Sequence, residues 1–188
     1  INMKRKVVLV DDHPIVRQGL AQLIDSEDDL EIVGEAQDRS SALDVIREKR
    51  PDIALVDLTL KGSNGIELIK DLKSIIPDIP VLVLSLHDEN VYAERVIRAG
   101  AKGFIMKAEA TEALLDAIRT VLRGGVYLSS KMKEVVLSQA FTPQDRKRGP
   151  LDELSDREFE VFKYIGEGKD IKEIAAGLFL STKKVKTD

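Results

Sequence analysis

Val7-Val8-Leu9-Val10-Asp11-Asp12 and Ile53-Ala54-Leu55-Val56-Asp57 decide the fold: each is a short apolar run that stops at acid. Four successive apolar residues without alternation suit a strand buried on both faces, as in a parallel sheet covered by helices. In such a sheet the carboxyl ends of the strands share one edge, so Asp11, Asp12 and Asp57 converge there although far apart in the chain. A carboxylate cluster of this kind attracts Mg²⁺ and, through it, phosphate.

Working outward, short Val/Ile/Leu-rich runs alternate with stretches of helical period from Lys6 to Arg123. Strands are expected near residues 6–10, 31–36, 52–56, 80–85 and 103–106. Helices are expected at 14–25, 39–49, 65–75, 88–99 and 111–123. Pro14 suits a first helical turn, where its missing N–H is no loss. Gly62 and Gly65 flank the exit from the third strand, and Gly100 stands where a left-handed residue closes a helix. Repeated βα units imply right-handed crossovers with helices on both faces. The fold class is therefore α/β, a doubly wound five-stranded parallel sheet.

The pattern fades after Gly124-Gly125. Pro143, Gly149, Pro150 and the run Asp145-Arg146-Lys147-Arg148 mark a linker, entered by a short helix near 130–140. A small all-α unit follows. Ser155 with Glu158 forms a capping box, and Phe159, Phe162 and Ile165 continue the apolar face of a helix over 155–166, ended by Gly166 and Gly168. Asp170 caps a second helix through Ile171, Ile174 and Ala175, which Gly177 terminates. Ser181 caps a third, cut short after about two turns.

With 188 residues, 43% of them apolar, the chain has material for one ordinary domain and a small second one. No apolar stretch approaches the roughly 18 residues of a membrane span, and no leader peptide is apparent, so the expected location is the cytoplasm. Ile1-Asn2 reads as a cloning remnant. The absence of cysteine excludes disulfides and thiolate metal sites. A net charge of −4 leaves DNA contact to local basic surface.

Ser85 ends the fourth strand and Lys107 follows the fifth, so both face the edge that carries the acids. Transfer of a phosphoryl group to Asp57, the expected nucleophile, requires neutralised charge; Mg²⁺ beside Asp57 and the Lys107 ammonium supply it, and Ser85 bonds the new phosphoryl oxygen. Asp11 and Asp12 hold the metal directly or through water. His13 and His87 lie nearby but lack convincing ligand spacing, and read as solvated or hydrogen-bonded loop residues.

Asp11-Asp12, Asp57, Ser85 and Lys107, in that order and spacing, resemble the receiver domain of bacterial two-component response regulators, a flavodoxin-like fold, over residues 4–125. The resemblance implies that Phe104 is an aromatic switch turning inward as Ser85 moves, and that the backbone carbonyl of Thr59 completes the metal site. Ala108 departs from the proline that often follows the lysine. Leu154-Ser155-Asp156-Arg157-Glu158, Glu173-Ile174-Ala175 and Leu180-Ser181-Thr182-Lys183-Lys184-Val185-Lys186-Thr187 resemble the helix-turn-helix output of NarL/FixJ, or LuxR-type, regulators. The implied organisation is a receiver at 4–125, a linker at 126–150 and an incomplete DNA-binding unit at 151–188, lacking the rest of the recognition helix and the dimerising fourth helix.

By this resemblance a sensor histidine kinase donates to Asp57, the phosphorylated protein forms a homodimer, and Thr182, Lys183, Lys184 and Lys186 meet promoter DNA in the complete protein. It would accept and lose its own phosphoryl group without turnover. Two alternatives stay open. One is a Mg²⁺-dependent phosphatase or phosphotransferase with an aspartyl intermediate, disfavoured because Thr59 stands where such enzymes place a second carboxylate. The other is an output unit that binds protein. Neither GxGxxG nor GxxxxGK[ST] occurs, which disfavours nucleotide enzymes.

Overall fold

The computed structural model describes residues 3–60, 63–140, 154–178 and 180–185. The chain divides into two compact units, Ile1–Leu137 and Ser138–Asp188.

The first unit alternates β1 (Arg5–Val10), α1 (Pro14–Asp25), β2 (Leu30–Ala36), α2 (Arg39–Lys49) and β3 (Ile53–Asp57). A two-residue antiparallel ladder, β4 (Thr59–Leu60) with β5 (Ser63–Asn64), leads into α3 (Gly65–Ile75). Then come β6 (Val81–Ser85), α4 (Glu89–Ala99), β7 (Gly103–Met106), a 3₁₀ turn at Lys107–Glu109 and α5 (Ala110–Leu122). The five long strands form one parallel sheet in the order β2-β1-β3-β6-β7. Expected strands and helices agree with these bounds to within a residue. The β4-β5 ladder was not foreseen, because two-residue strands carry no period. Gly62 lies outside the described residues.

Alternation builds two cores. Val7, Leu9, Ile53, Leu55, Leu82, Leu84 and Ile105 pack with Leu20 and Ile24 of α1 and Leu114, Ile118 and Val121 of α5. Their neighbours of opposite parity, among them Val8, Val10, Ala54, Val56, Val83 and Phe104, are buried on the other face. Helix ends follow local chemistry. Pro14 opens α1, Asp38 and Ser41 form a reciprocal capping box on α2, and Gly100 closes α4 with φ +115°.

The segment beyond α5 is not loose. Tyr127 bridges Gly103 in parallel sense; its carbonyl accepts from Phe104 N at 2.9 Å and its N–H donates to Lys102 O at 3.0 Å. Ser129 N then donates to Glu89 Oε1 of α4 at 2.9 Å. The helix expected near 130–140 is α6 (Ser130–Ala140). The remainder of the expected linker, including Pro143 and Pro150, lies outside the described residues.

In the second unit α7 (Asp156–Gly166), α8 (Ile171–Gly177) and α9 (Thr182–Val185) enclose Val161, Ile174, Ala175, Leu178 and Val185. Capping boxes form at Ser155–Glu158 and Asp170–Glu173. α8 ends at Gly177, as expected, with Leu178 as the cap. Leu178 joins the small core and Leu180 packs against it. No described helix is long and apolar enough to cross a membrane.

Candidate functional site

Strand parity explains which side chains meet. Val7 and Leu9, Ile53 and Leu55, and Ile105 share the face under α1 and α5. Continuing each alternation reaches Asp57 at the end of β3 and Asp11 and Lys107 just past the ends of β1 and β7. Val10 pairs with Val56, which sets the two acids side by side. β1 and β3 also flank the point where strand order reverses, the usual crevice of an open α/β sheet. Lys107 reaches across the end of β6. Its Nζ donates to Asp11 Oδ2 at 2.6 Å and to Asp57 Oδ2 at 2.8 Å.

This cluster is sealed from water, which controls its electrostatics: Asp57 is 1% exposed and Asp11 fully buried. Burial pushes the Asp57 carboxyl from the ordinary 3.8 up to about 6, against the pull of Lys107 and helped by the neighbouring Asp11 charge. Burial also acts to depress Lys107, but its hydrogen bonds to Asp11 and Asp57 win and hold the ammonium above its usual value. One cation is shared by two acids, so the pair is held together while Asp57 remains short of compensating charge.

The other predicted residues occupy defined places. Asp12 is partly exposed, yet its Oδ1 is buried and has no hydrogen-bond partner among the described residues. His13 Nδ1 lies 2.8 Å from that oxygen, with its hydrogen bond directed to Asp11 Oδ1 at 3.2 Å. Thr59 N donates to Asp57 Oδ1 at 3.2 Å. Ser85 and Phe104 have the opposite strand parity: Ser85 is fully buried with its Oγ accepting from His87 N at 2.9 Å, and Phe104 is buried inward beside Val83. Thus Asp11, Asp57 and Lys107 form a contact set on one face, while Ser85 and Phe104 line the other.

Donor atoms of Asp11, Asp12, His13 and Asp57 all lie within 4.8 Å of one another. Carboxylate oxygens are the donors a hard divalent cation takes, and the orphaned Asp12 Oδ1 is an oxygen that such an ion would satisfy. These residues fit Mg²⁺.

The sequence reading placed His87 correctly as a hydrogen-bonded loop residue. Its Nε2 is 3.2 Å from Thr59 Oγ1, and its ring lies 5.2 Å from that of Tyr92. His13 is likewise a half-exposed, hydrogen-bonded loop residue, held extended by the following Pro14 and bonded through its N–H to Asp11 Oδ1 at 2.8 Å. The sequence reading missed the full use of Gly65. A Cβ there would stand 2.5 Å from Asp57 O and 2.8 Å from Leu58 Cα, so only glycine lets α3 begin against the strand end that presents Asp57.

On α9, Thr182, Lys183 and Lys184 are exposed, and Lys186 lies outside the described residues. Ser181 caps this turn by accepting from Lys184 N at 3.3 Å.

Comparison with known proteins agrees with this architecture. The family described as "Response regulator receiver domain" matches residues 7–119, and "Bacterial regulatory proteins, luxR family" matches residues 152–187. The chain is 36% identical over 183 residues to a nitrate/nitrite response regulator protein homolog of Haemophilus influenzae, covering 97% of this chain and 86% of that protein. It is 38% identical over 184 residues to the transcriptional regulatory protein LiaR of Bacillus subtilis, covering 97% and 86%. A solved LuxR-family two-component response regulator from an Aurantimonas species superposes with a TM-score of 0.67 at 32% identity, covering 74% of this chain and 99% of that one. The chain belongs to the two-component response regulators, with a receiver domain followed by a LuxR-type DNA-binding unit that regulates transcription.

Proposed function

We propose that Asp57 is the phosphoacceptor, and that its phosphorylation by a sensor histidine kinase controls the output unit. The observation that carries this reading is the buried Asp57 carboxylate at the end of β3, 2.8 Å from Lys107 Nζ. Transfer forms a bond between an Asp57 carboxylate oxygen and phosphorus and breaks the donor's P–N bond. Lys107 meets the incoming negative charge, and Ser85 Oγ turns to bond a phosphoryl oxygen. Bound Mg²⁺, held by Asp11, Asp12, Asp57 and the Thr59 carbonyl, would supply positive charge to the phosphoryl oxygens. Phe104, packed behind the site, acts as the switch that couples Ser85 to the α4 face.

The functional boundaries follow as receiver 4–125, linker 126–150 and output 151–188. Thr182, Lys183, Lys184 and Lys186 contact DNA, and phosphorylation favours a homodimer. The protein works in the cytoplasm, accepting a phosphoryl group on Asp57 and losing it to water as inorganic phosphate; it is not a turnover enzyme. Thr59 in place of a second carboxylate supports that distinction.

Intact mass after incubation with acetyl phosphate and Mg²⁺ tests the reading. One added phosphoryl group is expected, and none on Asp57→Asn. A phosphoryl group persisting in that variant would overturn the assignment.

A further inference from the structure

We infer that His13 is a further donor, through Nδ1, to the divalent cation at Asp57, adding one nitrogen to the oxygen donors so that the site holds transition ions such as Mn²⁺ more tightly while still accepting Mg²⁺. This rests on the cation reading above and extends it to a residue that reading does not use.

The position of His13 is set by the backbone. Pro14 restricts the preceding residue to extended conformations, and His13 has φ −91° and ψ 105°. Its N–H is anchored to Asp11 Oδ1 at 2.8 Å. The ring is thereby held over the acids, with Nδ1 at 3.2 Å from Asp11 Oδ1, 2.8 Å from Asp12 Oδ1 and 3.8 Å from Asp57 Oδ2. Ligands bound at about 2.1 Å to one octahedral ion stand roughly 3 Å apart when adjacent and roughly 4.2 Å apart when opposite. The three separations fall near or within that interval. On Asp11 Lys107 engages the other oxygen, Oδ2, and leaves Oδ1 to this side, while at Asp57 it shares Oδ2, whose second lone pair stays open to an ion. The half-exposed ring leaves the remaining coordination positions to water and the phosphoryl donor.

A neutral imidazole has one nitrogen lone pair, and coordination through Nδ1 leaves its proton on Nε2. Nitrogen donors add more to the binding of Mn²⁺, Co²⁺ and Zn²⁺ than to that of Mg²⁺, which prefers oxygen and retains water. The prediction is a selective loss: replacing His13 weakens the transition ions and spares Mg²⁺.

The test uses the full chain with MnCl₂ and MgCl₂. Electron spin-echo envelope modulation of the Mn²⁺-loaded protein is expected to show coupling to a ¹⁴N nucleus that disappears in His13→Asn and persists in His87→Asn. Titration calorimetry is expected to show about a tenfold loss of Mn²⁺ affinity in His13→Asn, with Mg²⁺ affinity changed by less than about threefold. Bound Mn²⁺ without nitrogen coupling, or coupling that survives in His13→Asn, overturns the inference and leaves His13 as a hydrogen-bond partner of the acids. Binding of both ions that survives in Asp12→Asn with Asp11→Asn places the cation elsewhere and overturns the underlying reading as well.

Discussion

The first unit contains the same charge arrangement twice, at opposite edges of its sheet. At the carboxyl edge Lys107 lies between Asp11 and Asp57 at 2.6 and 2.8 Å; at the amino edge Arg119 lies between Glu27 and Asp29 at 2.6 and 2.7 Å. Distances scarcely differ. Exposure does: the side chains are 6%, 0% and 1% exposed in the first set and 33%, 30% and 45% in the second. Asp29 accordingly has its carboxyl held below the usual range by hydrogen bonds from Arg119, whereas burial drives Asp57 up to about 6. Desolvation, more than proximity, separates the electrostatics of the buried set from those of the exposed clamp.

Lys107→Ala puts the greatest strain on that contrast. It leaves two buried acids without their cation, and a loss of about 3 kcal/mol is expected in urea unfolding at pH 7.5. The loss should shrink toward pH 5 as Asp57 takes up a proton. A variant as stable as the parent at both pH values would show that the buried set behaves like the exposed one.

Asp57→Asn probes the same cluster with the opposite sign. The folded value of about 6 exceeds the ordinary 3.8, so the stabilising contribution of Asp57 is complete below about pH 4 and lost as pH rises through about 6. At pH 8 the variant should therefore be more stable than the parent by on the order of 2 kcal/mol, with the two converging by pH 4. Asp29, lowered instead, contributes stability that is present above pH 3.8 and lost only below it.

Two glycines sharpen the comparison of edges. Gly65→Ala should lose about 1.5 kcal/mol and slow phosphorylation, because its Cβ meets the backbone of Asp57 and Leu58. Gly124, with φ +85° and open space around its Cβ position, should lose about 1 kcal/mol as Ala from backbone strain alone, with phosphorylation unchanged. Smallest of all, Arg119→Gln should lose less than about 1 kcal/mol, a loss that fades in 0.5 M NaCl, roughly the regime where exposed pairs are screened. Equilibrium unfolding with and without added salt checks it.

Much of the carboxyl edge was legible in sequence because a parallel sheet converts strand ends into neighbours. Asp11, Asp57 and Lys107 follow from three apolar runs and one topological rule. The division of Ser85 and Phe104 onto the other face follows from the same parity once the register is known. The local bonds of His13 to Asp11 suit a loop residue next to the acids, whereas its approach to Asp57 at 3.8 Å spans residues remote in sequence and left no spacing to read. The β4-β5 ladder and the Tyr127 bridge were invisible for a related reason: each uses one or two residues, too few for any period.

The Tyr127 bridge bears on self-association through strand addition. An outer strand offers a row of unused N–H and C=O groups as a template for another chain. On the β2 side the register shifts between Val7 and Val8, interrupting that template, and Glu31 and Glu35 add charge. On the β7 side Tyr127 takes the Lys102 carbonyl and the Phe104 N–H, covering the start of a four-residue strand and leaving little of it for a second chain to zip onto. A fragment cut after Gly125 would keep every residue of the acid cluster and lose this cover. Its expected behaviour is concentration-dependent aggregation along β7, absent from a fragment that extends through α6.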